Sequence, residues 1–124
     1  MNSDKGYAKL KVLEEAHTLV LIVYRVTNTF PKHENLSLVS QMRRSAISVA
    51  ANIVEENAKN SYKDFLRFLN TSNGSLVELE YYFQLSLDLN YIKLSEYKKL
   101  ENQRIIVRSL LHGFMKSLRT KLAT

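Results

Sequence analysis

Apolar residues recur along this chain at alternating steps of three and four, the spacing that places side chains on one face of an α-helix. Four long segments carry the pattern, and they span roughly residues 8–29, 35–59, 62–90 and 96–122. The second segment is the clearest case, with the stripe Val39, Met42, Ala46, Val49 and Ile53. The sequence therefore predicts an all-α protein built from four helices.

Local signals set several helix boundaries and the order in which the helices pack. Pro31 ends the first helix, because the residue before a proline disfavours helical backbone. Ser61 followed by Asp64 resembles a capping box at the start of the third helix. The connections of about two to six residues make consecutive helices antiparallel neighbours. We therefore expect an up-down-up-down four-helix bundle, with residues 1–124 forming a single domain.

The composition narrows the class of protein. Three Gly and one Pro are too few for a turn-rich sandwich or barrel. The absence of Cys excludes a disulfide scaffold, a Cys-ligated zinc site and a Cys nucleophile. The longest fully apolar run, residues 19–23, is far too short to span a bilayer, and residues 1–11 lack the apolar core of a signal peptide. We expect a cytoplasmic protein without membrane contact.

Apolar residues exceed what one core stripe per helix requires. The surplus residues line up at helical spacing on the first three helices, and contiguous apolar surface of this kind usually marks a protein–protein contact. Scattered surface hydrophobes, which are common, are the alternative. We expect a homo-oligomer whose candidate interface residues are Leu21, Tyr24, Leu36, Arg43, Ile47, Val54, Val77, Tyr81 and Leu85.

Positive charge is concentrated near the C-terminal end. The chain carries 18 Lys and Arg against 12 Asp and Glu, a net charge of +6, and residues 91–124 by themselves hold eight basic and two acidic side chains. Such a segment attracts polyanions, although a solvated helix face is an alternative. The candidate nucleic-acid contacts share one side of the fourth helix: Lys98, Arg108, Lys116 and Arg119. No base-reading motif accompanies them, so binding would be mainly to phosphates.

Four ordered motifs occur in the middle of the chain: FPKHE at 30–34, LVSQMRRSA at 38–46, SVAANIVE at 48–55 and GSLVELE at 74–80. They resemble the pattern FPxxE, QxRRA, SIxxNIxEG and GSxxELE of the four-helix bundle proteins also called the 23S rRNA intervening-sequence protein family. The chain departs from the pattern where Ser45 replaces an Ala and Glu56 replaces a Gly. Without that Gly, we expect the second helix to run a little further.

The resemblance implies antiparallel four-helix bundles assembled into a ring-shaped homopentamer. It also implies genes inside intervening sequences of large-subunit ribosomal RNA genes, or free-standing elsewhere. A related branch serves as the accessory protein of diversity-generating retroelements and works with a reverse transcriptase and nucleic acid. We therefore expect a protein that binds RNA or DNA. The alternative is a protein-interaction scaffold or accessory subunit, for example of a reverse transcriptase.

Catalytic and metal-binding patterns are missing from the sequence. His17, His33 and His112 are never three or four residues apart, so no helical metal site is indicated. No glutamate pair comes with the Glu-x-x-His motif of a di-iron bundle, and Gly74 stands alone rather than in a phosphate loop. We expect a protein that is not an enzyme and that binds no cofactor or metal.

Polar residues within the motifs allow two interpretations. Four of them form a candidate structural motif: Asn52, Glu55, Glu78 and Glu80. The favoured interpretation pairs Arg43 and Arg44 with these glutamates, within or between subunits, because an interface arginine usually needs a carboxylate partner. The other interpretation is that the two arginines contact RNA. Arg104 interrupts the core stripe of the fourth helix, and we expect it to snorkel or to pair with an acidic neighbour.

Overall fold

The computed structural model describes residues 2–55 and 61–123, and the side chains from residue 6 onwards within those ranges. Its four α-helices are α1 (Asn2–Thr27), α2 (Leu38–Val54), α3 (Tyr62–Asp88) and α4 (Leu94–Ala123). A single 3₁₀ turn, Lys32–Glu34, lies between α1 and α2. The described residues contain no β-strand, and the predicted all-α class is confirmed. The second helix was expected to run past Glu56, but α2 ends at Val54 and Glu55 is its C-cap residue; residues 56–60 lie outside the described residues.

The four helices pack around one core. α2 packs against α1 and α3, and α4 packs against α3 and α1, so each helix has two neighbours. Every member of the predicted α2 stripe is buried, and so are Leu69, Leu76 and Leu79 on α3. On α1 the helical spacing predicts a stripe of Ala16, Val20, Val23 and Thr27; Val20 is half-buried, the other three are buried, and Val12 and Leu19 are buried with them. The helical periods thus identified the core of three helices closely and that of α1 in part.

A Schellman turn ends α3 and directs the following residue back to the core. Asn90 adopts a left-handed backbone with φ of 63°, which Asn tolerates better than most residues. The Tyr91 N–H donates to the Ser86 carbonyl at 2.9 Å, and the Asn90 N–H donates to the Leu87 carbonyl at 3.0 Å. The Tyr91 ring then packs 5.2 Å from the Phe30 ring, measured between centroids, which joins the α3–α4 connection to the α1–α2 connection.

The Glu34 side chain lies before α2 and accepts a hydrogen bond from its first residue, Leu38. The helix begins later than the sequence predicts. The sequence pattern placed that start near residue 35, but the 3₁₀ turn delays it to Leu38. The Glu34 carboxylate accepts from the Ser37 hydroxyl at 2.6 Å, the Tyr91 hydroxyl at 2.7 Å and the Leu38 N–H at 3.4 Å. These hydrogen bonds, that from Ser37 above all, lower the pKa of Glu34. The FPxxE motif is therefore a structural joint between two connections.

We expect Glu34→Gln to lower the melting temperature at neutral pH. The melting temperature of this variant should also fall less steeply as the pH is lowered. Because the folded state lowers the pKa of Glu34, its carboxylate stabilises the protein above the unfolded value of about 4.3, and that stabilisation is lost as the pH falls through the lower folded value. Circular dichroism melts between about pH 7 and pH 3 measure the slope. Glu14→Gln removes an exposed carboxylate and is the control. Equal slopes for the parent and Glu34→Gln would contradict this role.

Candidate functional site

The basic face of α4, defined as Lys98, Arg108, Lys116 and Arg119, is fully displayed to solvent. All four residues are exposed, and none of them forms an ion pair within the described parts of the chain. Between Lys98 and Lys116 the helix rises by about 27 Å, so the charges form a line rather than a cluster. His112 lies among them, but its Nε2 contacts Asn73 Oδ1 on α3 at 2.8 Å. Within the described parts of the chain, the face presents cations without ion pairs.

Arg104 lies on the same helix but is buried and paired with carboxylates. Only 3% of its side chain is exposed, and its Nε and Nη2 donate to the Glu101 carboxylate at 2.6 and 2.9 Å. Its Nη2 also lies 3.3 Å from Glu80 Oε2 on α3. The hydrogen bond to Glu101 raises the pKa of Arg104 more than burial lowers it. The expected pairing with an acidic neighbour is observed, and it joins α4 to α3.

The four residues of the candidate structural motif are not brought together. Glu80 binds Arg104, and Glu78 Oε1 accepts from the Ser45 hydroxyl at 3.0 Å. Asn52 stays within α2, where its side-chain amide donates to the Ser48 carbonyl at 2.8 Å. Glu55 is exposed and makes no side-chain contact to the other three. The two motif glutamates therefore hold α3 to two different neighbouring helices.

Serines connect α2 to α3, and sequence reasoning missed their role. The Ser72 hydroxyl donates to the Val49 carbonyl at 2.7 Å, and the Ser75 hydroxyl donates to Ser48 Oγ at 2.9 Å. Ser72 is fully buried, so its hydrogen bond satisfies a polar group within the core. By its spacing from Leu69 and Leu76, Ser72 falls on the stripe that the helical period predicts for the third helix. The sequence signal for this contact is a pair of serines three positions apart on each helix: Ser45 and Ser48 on α2, and Ser72 and Ser75 on α3.

The candidate interface residues divide into separate surfaces. Leu36 is 96% exposed on the α1–α2 connection, and Val77 and Tyr81 are exposed on α3. Leu21 and Tyr24 are exposed on α1, as are Ile47 and Val54 on α2. Leu85 does not belong with them, because it is partly buried and packs against the core. The remaining apolar residues lie on two sides of the molecule, α1–α2 and α3.

An apolar groove runs between α1 and α2. It has a volume of about 470 Å³, and its walls are Leu13, His17, Val20, Ile47, Ala50, Ala51 and Val54. Two of the candidate interface residues, Ile47 and Val54, therefore line one concave surface together with α1. The small Ala50 and Ala51 leave room between the larger side chains. We call this surface the α1–α2 groove.

Arg43 is held in place without a carboxylate. Its Nε donates to Thr27 Oγ1 at 2.9 Å, and its guanidinium carbon lies 4.5 Å from the centre of the Tyr24 ring. Arg44 beside it is exposed and has no ion pair in the described ranges. The pairing of these arginines with Glu78 and Glu80 within one subunit is therefore absent from the structure. Arg43 is a positioned charge whose partner is not among the described residues of the same chain.

Two general features complete the description of the surfaces. No described helix has both the length and the apolar character needed to cross a membrane. Within residues 2–55 and 61–123, no group of three or more His, Cys, Asp and Glu side chains is arranged to hold a metal ion.

We expect Arg104→Met to destabilise the fold by about 2–3 kcal/mol, since Glu101 is left near the core without its partner. The loss is smaller than for a fully buried pair because Glu80 is 57% exposed and water screens it. Denaturant titration measures the change. Arg108→Met is the matched control on the same helix, where the arginine is exposed, and it should change stability by less than about 0.5 kcal/mol. Similar values for both variants would contradict the structural role of Arg104.

The comparisons with known proteins agree with this architecture. A protein of unknown function from the S23 ribosomal protein family of Bacteroides thetaiotaomicron has a crystal structure that superposes with a TM-score of 0.79 at 24% identity, covering 88% of this chain and 98% of that one. At that identity the likeness shows the shared fold. No curated protein gives a match.

The family model is the stronger finding. It matches residues 8–113, a range that contains all four sequence motifs and most of α4. Lys116 and Arg119 of the basic face lie beyond the matched range. Since the match extends over most of its length, the chain belongs to the 23S rRNA-intervening sequence protein family.

Proposed function

We propose that this protein is a non-enzymatic homopentamer that binds RNA or DNA phosphates through the basic face of α4. The observation that carries the proposal is the line of four exposed cations without ion pairs in the described residues. Arg104 on the same helix is neutralised by carboxylates, which makes the contrast within α4 informative. Family membership adds support, because the family is named for the intervening sequences of 23S rRNA, which associates it with RNA.

Binding through this face would be electrostatic and largely independent of base sequence. The cations extend over about 32 Å of helix, a length that matches several successive phosphates of a polynucleotide. No exposed Phe, Tyr or Trp lies between the four basic residues to stack on a base, and the His112 ring among them contacts Asn73. Several copies of the face in one assembly would bind one polyanion at many points, and avidity would strengthen a weak contact of a single subunit.

An up-down-up-down arrangement of the helices is the topology that the contacts support. Between α2 and α3, Ser45 contacts Glu78 and Val49 contacts Ser72. The residue number thus rises along α2 while that of its contact on α3 falls. From α3 to α4, Gln84 contacts Tyr97 and Asn73 contacts His112. From α1 to α2, Arg43 contacts Thr27 whereas Val54 lines the groove with Leu13. These three pairs of contacts support the proposal that consecutive helices run in opposite directions.

The proposed ring needs two different patches on each copy, because a cyclic assembly of five uses head-to-tail contacts. The α1–α2 groove is concave and apolar. On α3, Val77 and the 63% exposed Tyr81 project from a different part of the surface. A groove on one copy that receives this ridge from the next would bury both. The geometry is compatible with a closed ring, and it leaves the basic face of α4 free.

A protein-interaction scaffold is the second candidate function. The observation that favours it is the same apolar surface, and above all Leu36, which is 96% exposed on the α1–α2 connection beside the FPxxE joint. An apolar side chain so far from the core suits a hydrophobic partner protein. In this version the protein would be an accessory subunit, for example of a reverse transcriptase, and the nucleic acid would be held mainly by the partner.

For the oligomer, we expect light scattering coupled to size-exclusion chromatography to give 72 kDa, five chains of 14.4 kDa. Val54→Glu places a charge in the α1–α2 groove, and it should convert the assembly to smaller species because a buried carboxylate would lack a partner. Leu94→Glu is the matched control: Val54 is 54% exposed and Leu94 on α4 is 55% exposed, but Leu94 lies outside the groove. A parent protein of 14.4 kDa would contradict the pentamer.

For nucleic-acid binding, we expect reversal of Lys98, Arg108, Lys116 and Arg119 to Glu to abolish binding of labelled RNA and leave the oligomeric mass unchanged. Each phosphate neutralised by a cation contributes about 0.9 to the slope of log affinity against log salt on duplex DNA and about 0.7 on single strands. Variants with fewer of these cations should therefore depend less steeply on salt. Fluorescence anisotropy at several salt concentrations gives the slope.

A pair of double variants provides the control for net charge. Lys116→Glu with Arg119→Glu alters α4, and Lys63→Glu with Arg67→Glu makes the same charge change on α3. Only the α4 pair should weaken binding strongly. Equal effects of the two pairs would indicate a response to total charge, and unchanged binding by the fourfold variant would favour the scaffold function.

A further inference from the structure

Two pockets open on either side of Arg43. One has a volume of about 460 Å³ and is lined by Thr27, Asn28, Phe30, Lys32, Asn35, Val39 and Arg43. The other, of about 440 Å³, is lined by Tyr24, Asn35, Val39, Ser40, Arg43, Arg44 and Ile47. Three residues, Asn35, Val39 and Arg43, belong to both linings, so the two pockets form one continuous depression around the guanidinium group. We call this depression the Arg43 pocket.

The lining of the Arg43 pocket is rich in hydrogen-bond donors and contains no carboxylate. Lys32, Arg43 and Arg44 supply positive charge, and Asn28 and Asn35 supply side-chain amides. None of the three cations forms an ion pair within the described ranges. The nearby Glu34 carboxylate is occupied by Ser37 and Tyr91. The depression is therefore electropositive, and its charge is not neutralised from within the same chain.

Arg43 is pre-organised at the centre of this pocket. One edge of its guanidinium is fixed by Nε donating to Thr27 Oγ1, which in turn donates to the Val23 carbonyl at 2.7 Å. The Tyr24 ring supports one of its faces. A long contact of 3.5 Å joins Nη2 to the Tyr24 carbonyl, so Nη1 and part of Nη2 remain available. An arginine held in this way loses little rotamer entropy on binding an anion.

We propose that the Arg43 pocket binds a phosphate group. A phosphate offers three or four oxygens to donors that approach from different directions, and Lys32, Arg43 and the Asn side chains surround the depression in that way. A carboxylate from a second copy offers only two oxygens in one plane and would leave several of these donors unused. The volume also falls within the range of small-ligand sites, about 300–1,000 Å³.

This site is separate from the proposed nucleic-acid contacts, although Ile47 lines both this pocket and the α1–α2 groove. It is built by the end of α1, the start of α2 and their connection, whereas the proposed nucleic-acid contacts lie on α4. The phosphate would come from a free nucleotide or from a polynucleotide chain. Both sources share the same chemistry at Arg43, and the choice of probes distinguishes them.

Isothermal titration calorimetry on the whole protein tests the proposal with three probes: inorganic phosphate, adenosine 5′-monophosphate and an oligouridylate with a 5′-hydroxyl end. We expect at least one probe to bind with one site per chain. In the fourfold α4 variant, which lacks the other proposed phosphate-binding face, a preference for adenosine 5′-monophosphate indicates a free nucleotide, and a preference for the oligouridylate indicates internal phosphates of a chain. Arg43→Gln should weaken that binding by about tenfold or more, since it removes charge-assisted hydrogen bonds.

Two further variants keep the test independent of folding. Lys32→Gln changes an exposed side chain in the pocket lining and should weaken the same binding severalfold without changing the melting temperature. Arg67→Gln removes one positive charge from α3, outside the pocket, and should leave binding unchanged. The fourfold α4 variant should also retain phosphate binding, so the loss of one site is distinguishable from the loss of the other.

Three results would overturn the proposal. Absence of binding by all three probes is the first. The second is equal binding by the parent, Arg43→Gln and Lys32→Gln. The third is an oligomer that dissociates in Arg43→Gln while the assembled parent binds no phosphate, because that would identify a carboxylate of a second copy as the partner of Arg43.

Discussion

Burial of four apolar stripes in one core is the interaction on which the rest of this structure depends. Residues such as Leu69, Leu76 and Leu111 are completely removed from solvent, and each such side chain contributes about 1.5–3 kcal/mol relative to exposure. Burial of its apolar stripe fixes the rotation of each helix about its own axis. The position of every polar side chain relative to the core follows from that rotation, including those that contact neighbouring helices.

Two arginines show how the rotation of a helix about its axis determines the surroundings of a charged side chain. Arg104 occupies a core position of α4, and the fold accommodates it only because Glu101 and Glu80 neutralise it. Arg43 lies at the edge of the core of α2, where Thr27 and Tyr24 orient it but supply no countercharge. The first arginine stabilises the bundle. The second is left with binding capacity directed outwards, into a donor-rich depression.

The surfaces left after folding are arranged by chemistry. Apolar residues remain on the α1–α2 groove and on α3, whereas unpaired cations remain on α4 and around Arg43. A bundle of this size cannot bury both sides of its helices, so the apolar surplus in the sequence remains on the surface of the single chain. Separate apolar and basic surfaces suit a protein that assembles through one and binds an anion through the other.

The FPxxE motif shows how local and distant constraints combine. Pro31 disfavours helical backbone at Phe30, an effect that is contained within two residues, and α1 already ends at Thr27. Glu34 acts through Tyr91, which is 57 positions away and is directed towards it by the left-handed turn at Asn90. A sequence pattern indicates the first effect directly. The second depends on two connections that meet only when the whole bundle has formed.

The sequence by itself determined the helical class, the core stripes of α2, α3 and α4, the cap at Ser61 and the exposure of the α4 cations. These features follow from the helical repeat and from contacts within a few residues. Only the tertiary structure decided that Glu80 binds Arg104, that Glu78 binds Ser45, and that Leu85 turns towards the core. The reason is physical: such choices depend on the rotation and spacing of two packed helices, and a change of a few ångströms or of one residue in register gives a polar side chain another partner.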